Sequence, residues 1–177
     1  MGFLQKILHF FYKRRLEQDA KKYADTTRTM LNIKQAKAVG IIFDASKPDD
    51  IITINQYSDT LRAQGIKVHL LAYQNNKEKE LRDSRFFNNL QINLFSIPQG
   101  GNIEAFQNLE LDILICAFLG ESLALEYIAA TSNARFRVGA FHATKTNYFE
   151  LMINTKQNQS LKYLLQQIDH FLKAINP

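Results

Sequence analysis

The sequence lacks several features that mark specialised classes of protein. It has one cysteine, Cys116, so no disulfide can form within the chain. It has no tryptophan, three prolines and seven glycines in 177 residues, which excludes collagen-like and linker-like composition. No apolar run reaches the roughly 20 residues that a membrane-spanning helix needs. We therefore expect a globular protein, and the single cysteine favours a reducing, cytoplasmic location. The N-terminal residues lack a small-residue cleavage site, so we do not expect a signal peptide.

The excess of positive charge lies at one end of the chain. The whole sequence has 22 basic and 17 acidic residues. Nine of the basic residues and three of the acidic ones lie in residues 1–37. The other 140 residues are therefore close to neutral and exert no net attraction on polyanions. Any polyanion contact is predicted at the N-terminal segment.

Residues 2–24 predict an amphipathic helix with an apolar first half and a basic second half. The apolar residues recur at helical spacing and would form the docking stripe: Phe3, Leu4, Ile7, Leu8 and Phe11. The basic residues would contact lipid or RNA phosphates: Lys13, Arg14, Arg15, Lys21 and Lys22. Three interpretations stay open. The stripe packs on the protein's own sheet or on a second copy, docks on a membrane or protein partner, or accompanies nucleic-acid binding.

The rest of the chain predicts one α/β domain over residues 38–177, preceded by the helix and a connector over residues 1–37. Short apolar runs suited to buried parallel strands alternate with amphipathic helices. The strand candidates are residues 38–43, 66–73, 86–87, 92–95, 111–118, 136–141 and 148–153. We expect a Rossmann-like three-layer sandwich with a mostly parallel sheet of five or six strands, plus the basic N-terminal helix.

In such a sheet, ligands bind beyond the carboxyl ends of the strands. The residues that follow those ends form the candidate pocket: Asp44, Ser46, Glu121, Ser122 and His142. The competing interpretation is that the two serines and Glu121 cap helices and that His142 is simply exposed.

The sequence offers little support for catalysis or metal binding. The turn after Asp44 has no glycine and carries Asp49 and Asp50, which disfavour a phosphate. Residues 120–124 approximate a nucleophile elbow around Ser122, but no convincing base or oxyanion loop accompanies it. The four histidines are scattered, and Cys116 sits in an apolar strand. We predict no catalytic residue, no metal and no cofactor.

Four segments, residues 38–44, 111–115, 127–139 and 148–153, together resemble a family of uncharacterised bacterial proteins of about this length, seen mainly in the Bacteroidota. That resemblance implies no particular activity. A second likeness, carried by Ser132, Ala134, Val138 and Gly139, is to Rossmann-like sugar-transferase domains. It implies a lone half of a two-domain sugar-nucleotide enzyme.

These observations favour a non-catalytic adaptor that docks through its basic N-terminal helix. The partner would be a membrane surface, a protein or an RNA-containing assembly, with nucleic acid bound through that helix alone. The location would be the cytoplasm, at the inner face of the membrane in the first case. The alternative is a nucleotide- or sugar-nucleotide-binding enzyme remnant that uses the strand-end pocket. The oligomeric state stays open.

Overall fold

The structure is a computed structural model that describes residues 2–23, 27–142 and 148–176, with the backbone alone for Phe3 and Tyr23. Six strands are present in these residues: β1 (Ala38–Asp44), β2 (Lys67–Gln74), β3 (Phe86–Asn88), β4 (Ile113–Ala117), β5 (Phe136–Ala140) and β6 (Leu151–Ile153). Five α-helices accompany them: α1 (Phe3–Ala20), α2 (Pro48–Ala63), α3 (Gly101–Gln107), α4 (Leu123–Ala130) and α5 (Leu161–Ala174).

The strands form one sheet in the order β3-β2-β1-β4-β5-β6, and every pairing in it is parallel. β1 lies in the middle, with Ile41 opposite Leu70 on β2 and Ile115 on β4. Its continuous apolar run is explained by cover on both faces, as expected for a central parallel strand. The α/β class predicted from the sequence is confirmed.

Two apolar cores lie on opposite faces of the sheet. One is built by α2 and α5, which contribute Ile54, Leu61, Leu164 and Ile168 among others. The second is built by α3 and α4 and contains Ile103, Phe106, Leu125 and Ile128. The three layers follow from the alternation of side chains along each strand, which sends successive residues to opposite cores. Within the described residues, none of the helices combines the length and the apolar character needed to cross a membrane.

The helix α1 packs on α4 rather than on the sheet. Its buried side chains are Tyr12, Leu16 and Asp19, which lie three and four residues apart on one face. Tyr12 and Leu16 join Tyr127, Ala130 and Ile97 in a small third cluster. This face differs from the stripe predicted from the sequence, because the tyrosine and the aspartate find partners that spacing alone does not show.

The segment between β3 and α3 also differs from the prediction. Residues 92–95 do not form a strand, and Ile92 makes only an isolated bridge with Pro98. A tight loop follows, with Ser96 at φ 61, a left-handed conformation uncommon outside glycine. The N-cap of α3 is Gly100, and the side-chain amide of Asn102 donates to the carbonyl of Phe86 at 2.9 Å.

Candidate functional site

Two adjoining clefts lie beyond the carboxyl ends of the strands. Their volumes are about 400 and about 320 Å³, and Asp44, Glu121 and Ser122 line both. Ser46 lines the larger one. The chain runs outward from β1 to β2 and β3 on one side and then to β4 on the other, so the clefts lie at the switch point of the sheet. Four of the five predicted pocket residues therefore come together.

The two serines have different local roles. The hydroxyl oxygen of Ser122 accepts a hydrogen bond from the backbone N–H of Leu125 at 3.4 Å and caps α4. Ser46 does not cap α2, whose N-cap is Lys47. Its backbone N–H donates to Asp44 at 2.9 Å, and its hydroxyl accepts from the N–H of Asn75 at 3.2 Å. Both serine hydroxyls therefore accept hydrogen bonds that stabilise the turns bordering the clefts.

His142 lies beside the clefts. Its Nε2 is 3.4 Å from Oε1 of Glu121, and its ring borders a narrow crevice next to Phe118 and Phe149. The partner of His142 in this contact is the carboxylate and not the hydroxyl of Ser122. Because that hydroxyl caps α4, the geometry gives no support to a serine nucleophile at this turn.

Acidic groups dominate the larger cleft. Asp44, Asp50 and Glu121 line it, together with one cation, Lys47. Burial raises the pKa of Asp50 above its ordinary value; Lys47 opposes the change, and the carboxylates of Asp44 and Asp49 add to it. An anionic phosphate would meet unfavourable charge here. Within the described parts of the chain, no three His, Cys, Asp or Glu side chains are grouped to hold a metal ion.

The second candidate site is the outward surface of α1. Leu4, Phe10 and Phe11 are 68%, 60% and 46% exposed. Ile7 and Leu8 are half-buried, and the side chain of Phe3 lies outside the described residues. Part of the predicted apolar stripe is therefore exposed to solvent and part of it is half-buried.

The predicted basic residues on α1 and on the turn that follows it, Lys21–Tyr23, also fall into two groups. Lys13, Arg14 and Lys21 are exposed. Arg15 and Lys22 pair with the buried carboxylate of Asp19, at 2.5 and 3.0 Å. Burial alone would raise the pKa of Asp19, but hydrogen bonds from Tyr127, Arg15 and Lys22 outweigh it and hold that pKa below its ordinary value. Two of the five predicted polyanion contacts therefore pair with the carboxylate that binds Tyr127 on α4.

A groove of about 440 Å³ runs between α1 and the loop that precedes α3. We call it the α1 groove, and its lining residues are Phe11, Arg14, Arg15, Gln18, Asn93, Phe95, Ile97 and Gln99. The ring centroids of Phe11 and Phe95 are 5.7 Å apart, and the two ring planes meet at 54°. The sequence places these two phenylalanines 84 positions apart, so spacing gave no signal that they meet.

The loop side of the α1 groove is held by one asparagine. The side-chain oxygen of Asn93 accepts hydrogen bonds from the N–H groups of Phe95 and Ile97, at 2.9 and 3.1 Å. The backbone N–H of Asn93 donates to the carbonyl of Ile97 at 3.0 Å. These bonds close the loop around Ser96 and present the Phe95 ring to solvent, where it is 38% exposed.

The fold and these sites define a doubly wound α/β domain with a strand-end cleft and an accessory basic helix. The chain belongs to a family of unknown function, DUF6913, which matches residues 9–175. No curated protein and no solved structure matches the chain.

Proposed function

We propose that the protein is a non-catalytic docking domain that attaches to an anionic membrane surface through α1. The observation that carries this proposal is the direction in which α1 packs. Because Tyr12, Leu16 and Asp19 face α4, the large apolar side chains of Leu4 and Phe10 remain in solvent. A cytoplasmic location at the inner face of the membrane is part of the proposal.

The composition of the outward surface favours lipid over nucleic acid. Exposed apolar side chains gain free energy on entering the acyl boundary, and Leu4, unlike a phenylalanine ring, cannot stack on the bases of RNA. The exposed cations Lys6, Lys13, Arg14 and Lys21 then lie next to lipid phosphates, each contributing about 1 kcal/mol near an anionic surface.

The first test is co-sedimentation of the purified full chain with vesicles of phosphatidylcholine, alone or with phosphatidylglycerol. We expect binding to the anionic vesicles and little to the neutral ones. The double variant Leu4→Ser/Phe10→Ser should lose most of this binding while staying folded, because both side chains are more than half exposed. The control is Ile52→Ser, which removes an apolar side chain on α2 that is also more than half exposed.

Charge is tested separately from apolar contact. Lys13→Gln should weaken binding about fivefold, as expected for one cation near an anionic surface. Lys162→Gln, which removes an exposed cation on α5, should have no effect. Equal losses in the two variants, or full binding by Leu4→Ser/Phe10→Ser, would overturn the proposal. Point variants are preferable to deletion of residues 1–23, which would uncover the buried Tyr127 and Ala130.

A second candidate function is binding of a sugar nucleotide or related small molecule at the strand ends. The specific observation is that Asp44, Ser46, Glu121 and Ser122 all line one cleft of about 400 Å³. Carboxylates accept hydrogen bonds from sugar hydroxyls and repel phosphates, so the sugar would enter deepest. The likeness of residues 132–139 to sugar-transferase domains adds little, because Ser132, Ala134 and Val138 are buried and serve packing.

This second function is tested by thermal shift against a panel of sugars, nucleotides and sugar nucleotides. Binding in the cleft should raise the unfolding temperature of the wild type and not that of Asp44→Ala. It should survive in Leu4→Ser/Phe10→Ser, which leaves the cleft intact. A panel without any shift would count against the second function and leave the docking proposal unaffected.

A further inference from the structure

We propose that the α1 groove receives the phosphomonoester headgroup of an anionic lipid, for which phosphatidic acid is the probe. This inference rests on the proposed function, since the groove would meet the membrane together with the rest of α1. Among anionic membranes, the protein would then prefer those that contain lipids with a phosphomonoester headgroup.

Two arginines from consecutive positions line the groove. Arg14 is exposed and has no ion-pair partner among the described residues. Arg15 is oriented by its 2.5 Å contact from Nε to the carboxylate of Asp19. A guanidinium has four further N–H donors on its terminal nitrogens, so the contact with Asp19 still permits Arg15 to bind an anion. A phosphate between the two arginines would receive paired hydrogen bonds of the kind that guanidinium groups form with phosphate oxygens.

The charge of the ligand decides between phosphate classes. A phosphomonoester carries about −1.5 to −2 charges near neutral pH, whereas a phosphodiester headgroup carries a single charge on its phosphate. Two arginines on one groove complement the higher charge better. The neutral amides of Gln18 and Gln99 also line the groove, and they supply N–H donors without adding charge.

The apolar rim of the groove favours a lipid over a soluble phosphate. Phe11 and Phe95 are both partly exposed and contact each other at the rim. Leu94, the neighbour of Phe95, is also exposed. Rings that enter the acyl boundary leave the adjacent arginines at the depth of the phosphates, as basic side chains at membrane interfaces do. A free phosphate would make no use of these rings.

Internal contacts of the protein fix both walls of the groove. Asn93 holds the loop through hydrogen bonds to Phe95 and Ile97, and Gln99 N–H donates to the carbonyl of Gln91 at 2.7 Å. On the other side, Tyr12 and Leu16 fix α1 against α4. Because neither wall needs to order on binding, little conformational entropy is lost.

The experiment compares vesicles that contain phosphatidic acid with vesicles that contain phosphatidylserine, adjusted to the same surface charge. The wild-type full chain should bind the phosphatidic acid vesicles about tenfold more tightly, because two guanidinium groups engage one phosphate. Arg14→Gln should reduce that preference to about twofold or less. Arg14→Lys keeps the charge and should still lose most of the preference, because an ammonium cannot bind two oxygens side by side.

The matched control is Lys13→Gln, which removes a neighbouring cation outside the groove and should weaken binding to both vesicle types by a similar factor. Equal binding of the wild type to both vesicles would overturn the headgroup inference and leave membrane docking intact. Binding to neither would overturn both. Tighter binding of the wild type to inorganic phosphate than to phosphatidic acid vesicles would assign the groove to a soluble phosphate, and displacement from the vesicles by single-stranded RNA would assign it to nucleic acid; each would overturn the lipid inference.

Discussion

The hydroxyl of Tyr127 on α4 donates a 2.6 Å hydrogen bond to the carboxylate of Asp19 on α1. Asp19 is only 5% exposed, and it also pairs with Arg15 on α1 and with Lys22 in the turn that follows α1. The hydroxyl of Tyr12 donates in the other direction, to the carbonyl of Leu123 at 2.8 Å. Polar bonds as well as apolar contacts thus fix α1, and they set which of its faces meets solvent.

The first prediction is that Asp19→Asn destabilises the protein by about 1–3 kcal/mol, because it removes a charged acceptor from three donors in a mostly buried site. The measurement is the free energy of unfolding in urea. Asp59→Asn is the matched control: Asp59 pairs with Arg62 at 2.9 Å on the surface of α2. Its effect should stay within about 0.5 kcal/mol, as for other exposed pairs. Equal losses of unfolding free energy in the two variants would show that the hydrogen bonds to Asp19 stabilise the protein no more than an exposed ion pair does.

The second prediction is that the free energy of unfolding depends on pH through the titration of the Asp19 carboxyl group. The pKa of Asp19 in the folded protein lies below its ordinary value of 3.8. A carboxyl group with a lowered folded pKa stabilises the fold fully above its unfolded pKa and loses that contribution as pH falls through the folded pKa. The difference in unfolding free energy between wild type and Asp19→Asn should therefore be constant above about pH 5 and shrink in acid. A difference that stayed constant down to about pH 2.5 would contradict the assignment.

The sequence was sufficient for the fold because the relevant signals are local. The apolar run of β1, Pro48 at the start of α2 and the heptad-like spacing of α5 each predict one element from adjacent residues. The alternation of strands and helices then fixes a parallel sheet. Pocket residues at strand ends were predictable for the same reason, since the sheet brings the carboxyl ends of its strands to one edge.

The surface of α1 was less predictable because its contacts are distant in sequence. The partner of Asp19 is 108 positions away on α4. The apolar spacing of Leu4, Ile7 and Phe11 predicted an apolar stripe without showing what covers it, while the face that packs on α4 is formed by Tyr12, Leu16 and Asp19. The ion pair between the buried Arg137 and Glu150 was missed in the same way, since nothing in the sequence pairs them. Periodicity identifies a helix better than it identifies which polar residues are satisfied by tertiary contacts.

A third prediction concerns the close approach of α3 to the sheet. A Cβ at Gly40 would lie 2.5 Å from Cδ1 of Leu111 and 3.0 Å from Cζ of Phe106. Both neighbours are buried in the second core, so Gly40→Ala should cost about 1–3 kcal/mol through overpacking. Gly101→Ala is the control, because its added methyl group at the start of α3 would meet no atom within 4 Å apart from its chain neighbours and the backbone of its own helix. That variant should be neutral or slightly stabilising in urea unfolding.

The last prediction separates a structural role for Ser122 from a chemical one. Its hydroxyl oxygen accepts from the N–H of Leu125, as that of Ser160 accepts from Tyr163 at the start of α5. Ser122→Ala should therefore cost about 1 kcal/mol, and Ser122→Asn, which keeps a capping oxygen, should restore most of it. The measurement is urea unfolding of both variants beside Ser160→Ala. A fully stable Ser122→Ala would show that the cap is dispensable, and the hydroxyl would then be free to serve a ligand in the strand-end cleft.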